Sequence, residues 1–160
     1  MLLKTIRQLS RGLKEKNLCL ATAESCTGGL LAASMTELPG ASDWFDCALV
    51  TYSNQIKQSL LNVSVEVLEQ YGAVSEACAL AMLAGLWQKS AATVGVAITG
   101  IAGPEGGSVA KPVGLVHFAL GLRNQDAVTK QQIFHGTRRA IRRQAVIYAL
   151  EQLIQFIYRT

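Results

Sequence analysis

The chain has 160 residues, with 15 Lys and Arg against 11 Asp and Glu, giving a net charge of +4. Half of it is hydrophobic and 16% is charged, against about 25% charged in an average domain. That balance excludes a disordered chain, the 14 Gly and 3 Pro exclude a collagen-like or proline-rich one, and the length fits one domain, residues 1–160, that buries a core without disulfide staples. The sparse charge also points to surface covered by self-association. The four cysteines, Cys19, Cys26, Cys47 and Cys78, form no C-x-x-C pair, which argues for small core residues in a reducing compartment and against a zinc knuckle. Lys4 and Arg7 interrupt the N-terminus, and the longest run free of charge, Ser90 to Pro104, falls short of the about 20 residues of a membrane span. A cytoplasmic protein is expected, with no membrane partner.

In chain order, Leu2, Ile6, Leu9 and Leu13 recur at helical spacing, so residues 2–16 read as an amphipathic helix. Leu18 to Ala23 is a nearly continuous apolar run and reads as a buried strand. Cys26 to Glu37 looks helical and is ended by Leu38-Pro39-Gly40. Cys47 to Tyr52 is a second strand, followed by a helix to about Leu60 that Ser53 or Asn54 can cap. Ser64 starts a short helix ending at Gly72, and Ser75 caps a longer one through about Ser90. Thr93 to Thr99 is a third buried strand, and 100–112 is a loop with four glycines. Val113 to Leu122 and Ala127 to Phe134 read as a hairpin, hence antiparallel, and the last helix runs from about Thr137 to Tyr158. Helices between the early strands demand crossovers and parallel pairing. The expected fold is α/β, a three-layer α/β/α sandwich with a mixed, mostly parallel sheet of about five strands.

Four stretches carry chemistry. Glu24-Ser25-Cys26-Thr27-Gly28-Gly29 lies between a strand and a helix, where ligands bind in open α/β sheets. Ser25 there suits a nucleophile, with N–H groups near Thr27 and Gly28 as an oxyanion hole, or it simply caps the helix. Cys26 is a rival, because a thiol at a helix N-terminus has a lowered pKa; neighbours point apart, so only one of the two faces the site. Glu24 either orients a reacting group or satisfies loop N–H groups. The second stretch, Thr51 to Lys57, again joins a strand to a helix. Lys57 in the first turns opposes the helix dipole, which lowers its pKa and lets it take a proton from a serine, with Tyr52 relaying that proton or holding the lysine. The third is the glycine-rich loop from Thr99 to Ser108, then Lys111-Pro112-Val113-Gly114; it is neither a Walker loop nor G-x-G-x-x-G, yet its length suits anion binding. The fourth is the cluster Arg138, Arg139, Arg142 and Arg143, which suits a phosphorylated small ligand or a solvated helix face. His117 sits among apolar strand residues and reads as a core or supporting group. Two histidines without paired cysteines make a metal site unexpected, and no aromatic interleaves with the arginines, so nucleic acid is not an expected partner.

Taken in order, E-S-C-T-G-G, V-T-Y-S-N-x-x-K, G-x-V-S at 72–75, T-G-I-A-G-P-x-G-G, K-P-V-G and R-R-Q-A resemble the CinA C-terminal domain family, the nicotinamide-nucleotide amidases. The resemblance covers about residues 5–155, and the ordered set is far more specific than any one motif. It implies hydrolysis of the carboxamide of nicotinamide mononucleotide to nicotinic acid mononucleotide and ammonia, in pyridine-nucleotide recycling, with no metal or other cofactor. It implies Ser25 as nucleophile, with Tyr52 and Lys57 as its activating pair. The expected substrate-binding set is Thr27, Gly28, Gly29, Asn54, Thr99, Gly100, Gly103 and Arg142. A homo-oligomer, dimer or larger, is also implied. The competing expectation is a non-catalytic pyridine-nucleotide-binding regulatory module.

Overall fold

The computed structural model describes residues 2–159. The elements are α1 (Leu2–Glu15), β1 (Leu20–Glu24), α2 (Leu30–Thr36), a 3₁₀ turn (Ala41–Asp43), β2 (Phe45–Val50), α3 (Asn54–Leu61), α4 (Val65–Gln70), α5 (Glu76–Lys89), β3 (Val94–Gly100), β4 (Leu115–Leu122), β5 (Val128–Ile133) and α6 (Arg138–Arg159). They build one five-stranded sheet in the order β2-β1-β3-β4-β5. β1 pairs in parallel with β2 and β3, while β4 runs antiparallel to both β3 and β5. Only β4 therefore runs against the other strands, and the expected three-layer architecture is the one observed.

Each face of the sheet buries its own core. On one face Val94, Val96 and Ile98 of β3 and Val116, Phe118 and Leu120 of β4 pack with α1, α2 and α6 through Ile6, Leu9, Leu31, Ala149 and Leu153. On the other, Ala21, Ala23, Ala97 and Ala119 meet α3 and α5 through Leu61, Met82, Leu83 and Leu86. The period-2 alternation of large and small side chains thus sets the spacing of the layers. Large residues hold α6 away from the sheet, and alanines let α5 lie close to it. The loop after β1 turns toward the α2 face, and the loop after β2 turns toward the α5 face. Adjacent parallel strands whose exits diverge leave a crevice at their carboxyl ends.

The boundaries differ from the sequence reading in informative places. α2 begins at Leu30, not Cys26, because Gly28 (φ 58°) and Gly29 (φ 87°) take left-handed backbone and turn the chain before the helix. β2 lies at 45–50 rather than 47–52, which leaves Thr51 and Tyr52 beyond the strand. β4 begins at Leu115 because Gly114 (φ 94°) seats against Phe134, whose carbonyl oxygen a Cβ would meet at 1.9 Å. Among the described residues, no helix is long and apolar enough to cross a membrane.

Candidate active site

Glu24 closes β1 and is fully buried. Its carboxylate accepts the amides of Gly29 and Leu31 at 3.0 and 3.2 Å on one oxygen and that of Ala32 at 2.9 Å on the other. The start of α2 is therefore capped from the strand before it, and of the two roles open to Glu24 the structure gives the second, satisfying N–H groups. A separate bond bears on the expected oxyanion hole. The Gly28 amide donates to the Ser25 carbonyl at 3.0 Å, so it is already engaged.

Ser25 follows directly, 7% exposed. Its amide donates to Ile98 O at 2.9 Å, and Thr51 N donates to Glu24 O at 2.8 Å. The ends of β1, β2 and β3 are thereby tied together, and the Ser25 hydroxyl is held on a rigid frame. Ser53 caps α3, its hydroxyl accepting from Ile56 N at 3.2 Å, which places Lys57 in the first turn of that helix. Lys57 is 1% exposed. Its Nζ donates to Ser25 Oγ at 2.9 Å, to Thr51 O at 2.8 Å and to Tyr52 O at 3.1 Å. Among the described residues no carboxylate pairs with it, and burial pushes its pKa below the ordinary lysine value; the helix dipole acts in the same direction.

Cys26 is the residue that turns inward. Burial pushes its thiol up to about 11, contrary to the lowered value expected at a helix start, because the thiol is packed in the core and α2 begins four residues later. Tyr52 touches Lys57 through its main-chain carbonyl, not its phenol. The phenol is turned outward, 59% exposed, and its oxygen accepts from Arg138 Nη2 at 2.7 Å. Arg138 Nη1 donates to Gly103 O at 2.8 Å. One guanidinium thus joins the start of α6 to the end of β2 and to the glycine-rich loop.

These groups surround a cavity of about 260 Å³ lined by Ser25, Cys26, Tyr52, Asn54, Lys57, Ala73, Gly100 to Gly103, Glu105, Gly106 and Arg138. It gathers Ser25, Tyr52, Asn54, Lys57, Gly100 and Gly103 from the expected set. Thr27, Gly28, Gly29, Thr99 and Arg142 lie outside its wall. Thr27 and Thr99 are buried supports: Thr27 O accepts from Arg142 Nη2 at 2.6 Å, and Thr99 Oγ1 donates to Ala73 O at 2.6 Å. Gly28 and Gly29 shape the turn into α2. Arg142 lines a separate cavity with Arg138, Arg139 and Arg143. Arg138, Glu105 and Ala73 were not singled out from the sequence; Arg138 stood within the arginine cluster, but spacing alone does not say which member faces the glycine loop. His117 lies elsewhere, beside Glu76 and Lys111, and burial, helped by the Lys111 cation, lowers its pKa. Among the described residues there is no group of three or more His, Cys, Asp or Glu placed to hold a metal ion.

A buried lysine against a serine hydroxyl, at the mouth of a parallel sheet, is an arrangement that activates an oxygen nucleophile. The profile of the CinA C-terminal domain family matches residues 3–157. The chain is 44% identical over 154 residues to the nicotinamide-nucleotide amidohydrolase PncC of Escherichia coli, spanning 96% of this chain and 93% of that protein. It is 45% identical over 148 residues to the protein of the same name from Enterobacter agglomerans, spanning 92% and 90%. Among solved structures, the competence/damage inducible protein CihA from Agrobacterium tumefaciens superposes with a TM-score of 0.93 at 42% identity, covering 96% of this chain and 94% of that one.

Proposed function

The chain belongs to the CinA C-terminal domain family, and on that premise we propose that it hydrolyses the carboxamide of nicotinamide mononucleotide, giving nicotinic acid mononucleotide and ammonia. The observation that carries this reading is the contact of 2.9 Å between Lys57 Nζ and Ser25 Oγ inside a cavity, with the amine buried and, among the described residues, without a carboxylate partner.

A neutral Lys57 has two N–H bonds and one lone pair. The carbonyls of Thr51 and Tyr52 take the two N–H bonds, which turns the lone pair toward Ser25. In the first half-reaction Ser25 Oγ bonds to the carboxamide carbon, and its proton passes to Lys57. The carbon–nitrogen bond then breaks, Lys57 returns the proton to the departing NH₂, and ammonia leaves an ester on Ser25. In the second, water gives a proton to Lys57 and bonds to the same carbon. The ester bond breaks, Ser25 recovers the proton from Lys57, and the acid leaves as its carboxylate, its remaining proton passing to solvent.

The cavity is small for a whole nucleotide, since ligand pockets run from about 300 to 1,000 Å³. It suits the pyridine ring and its carboxamide, with the ribose and phosphate toward Arg138 at the mouth. Glu105 is the one carboxylate among the lining residues and gives a counter-charge to the cationic ring. Binding energy gained on the phosphate then holds the amide against Ser25.

The test is ammonia release from nicotinamide mononucleotide. The parent chain is expected to release it, and Ser25→Ala to stop release while binding the nucleotide. Tight binding by the parent with no ammonia would instead favour the non-catalytic module.

A further inference from the structure

A second cavity is larger than the one that holds Ser25. It lies between α2 and the first turns of α6, has a volume of about 940 Å³, and is lined by Leu2, Leu30, Ser34, Val146 and Ile147 with Arg138, Arg139, Arg142 and Arg143. Four arginine side chains line it without one carboxylate in the wall. Cations at a helix N-terminus oppose the dipole, and the first turn of α6 carries no acidic residue to offset them. The one ion pair among the described residues joins Lys14 and Asp43, far along the sequence from this cluster. Arg139 and Arg143 are exposed. Arg142 Nε is buried with no hydrogen-bond partner. Arg138 and Arg142 hold Gly103 O, Tyr52 Oη and Thr27 O, but the side chains of Arg139 and Arg143 make no hydrogen bond or ion pair among the described residues, and an anion lodged between them is favoured both by charge and by bidentate geometry.

We propose that this cavity is a regulatory site for a nucleotide other than the one being hydrolysed, its phosphate held by Arg139 and Arg143 and its base resting on the apolar floor of Leu30, Val146 and Ile147. Its volume falls within the about 300 to 1,000 Å³ of small-molecule pockets. Arg138 lines this cavity and the Ser25 cavity alike. The two nitrogens it offers to Gly103 O and Tyr52 Oη are the same ones a phosphate would engage. An occupant therefore draws Arg138 off the glycine loop and Tyr52, and slows hydrolysis without entering the Ser25 cavity. This coupling rests on the proposed amidase activity; the binding itself does not.

Calorimetric titration of ADP and of inorganic pyrophosphate into the full chain tests it. Both are expected to bind, and the double change Arg139→Glu with Arg143→Glu to weaken them at least about tenfold, with Arg139→Gln and Arg143→Gln as a milder pair if the first fails to fold. ADP is expected to bind Ser25→Ala already saturated with nicotinamide mononucleotide, and to raise KM and lower kcat of the parent, an inhibition that saturating substrate does not abolish and that the double variant loses. Absence of binding, binding indifferent to Arg139 and Arg143, or displacement of ADP by nicotinamide mononucleotide would each overturn the proposal. The last would make the cavity the phosphate pocket of the substrate itself. A chain that binds ADP as described but releases no ammonia would overturn the proposed function and leave this site standing.

Discussion

Gly85 on α5 faces the last turn of α3. A Cβ added there would lie 1.9 Å from the carbonyl oxygen of Leu61, 2.6 Å from its carbon and 2.7 Å from its Cα. All three are backbone atoms, so no side-chain rotation relieves the clash. Reaching an ordinary contact of 3.4 Å requires the two helices to part by about 1.5 Å. Leu61 is one turn beyond Lys57 on the same face of α3, so that displacement reaches the amine. A bond of 2.9 Å from Lys57 to Ser25 lengthened by a comparable amount is no longer a hydrogen bond. Gly85→Ala is expected to cost about 3 kcal/mol, the upper end for overpacking, or about 6–12 °C in Tm for a chain of this size. Ammonia release is expected to fall about a hundredfold, as misplacement of reacting groups by about 1 Å does. Gly12→Ala is the control: there a Cβ meets the tips of Ile157 and Tyr158, flexible groups remote from the site, so a loss of about 1 kcal/mol with unchanged activity is expected. Urea unfolding and the ammonia assay, run on both variants, read the two effects separately. A Gly85→Ala chain with parental stability and turnover would refute the claim that close packing of α5 on α3 holds Lys57 in place.

The remaining predictions concern charge and hydrogen bonding. Since burial lowers the pKa of Lys57 and only the neutral amine accepts a proton, kcat/KM is expected to rise about tenfold per pH unit and level off below the ordinary lysine value; a flat profile would contradict it. The same shift makes the folded chain bind fewer protons than the unfolded one between the two pKa values, so stability rises with pH across that window and Lys57→Met removes the slope in pH-dependent unfolding. Glu24→Ala leaves three amides of the α2 start without their acceptor and is expected to cost about 3 kcal/mol in urea unfolding; a loss within about 0.5 kcal/mol would show the cap to be dispensable. Arg138→Met and Tyr52→Phe remove the same bond, so each is expected to lower kcat about threefold, with the kcat of the double variant no lower than that of Arg138→Met alone, while Arg138→Met, which also loses the Gly103 bond and the phosphate contact, raises KM. Fully additive losses would separate the two residues.

The central strands were legible because they are buried: β1, β3 and β4 are mostly apolar runs interrupted by few polar residues, and short linkage of the last two strands fixed their antiparallel pairing. Ser53, Ser64 and Ser75 were legible as caps because each sits directly before its helix and accepts an amide three residues on. The meeting of Ser25 with Lys57 was legible as residue types at strand exits, and the resemblance supplied the pairing. Contacts between distant segments were less accessible. Arg138 and Tyr52 are 86 positions apart, and nothing in the spacing of four arginines tells which one faces the glycine loop. Helix propensity from 26 onward hid the left-handed pair Gly28 and Gly29, and with it the inward turn of Cys26. The lysine is held by a carbonyl of Tyr52, a backbone atom that every residue type carries, so the identity of the side chain gave no sign of it.

The central claim is that the Ser25 hydroxyl, activated by a neutral Lys57, becomes covalently bonded to the acyl group of the substrate. Acid quenching within the first turnovers on nicotinamide mononucleotide, followed by peptide mass spectrometry, reads this directly. The account predicts an acyl adduct on the peptide carrying Ser25, localised by fragmentation to that serine and absent from Ser25→Ala. An adduct on Cys26, or undiminished ammonia release from Ser25→Ala, would contradict it.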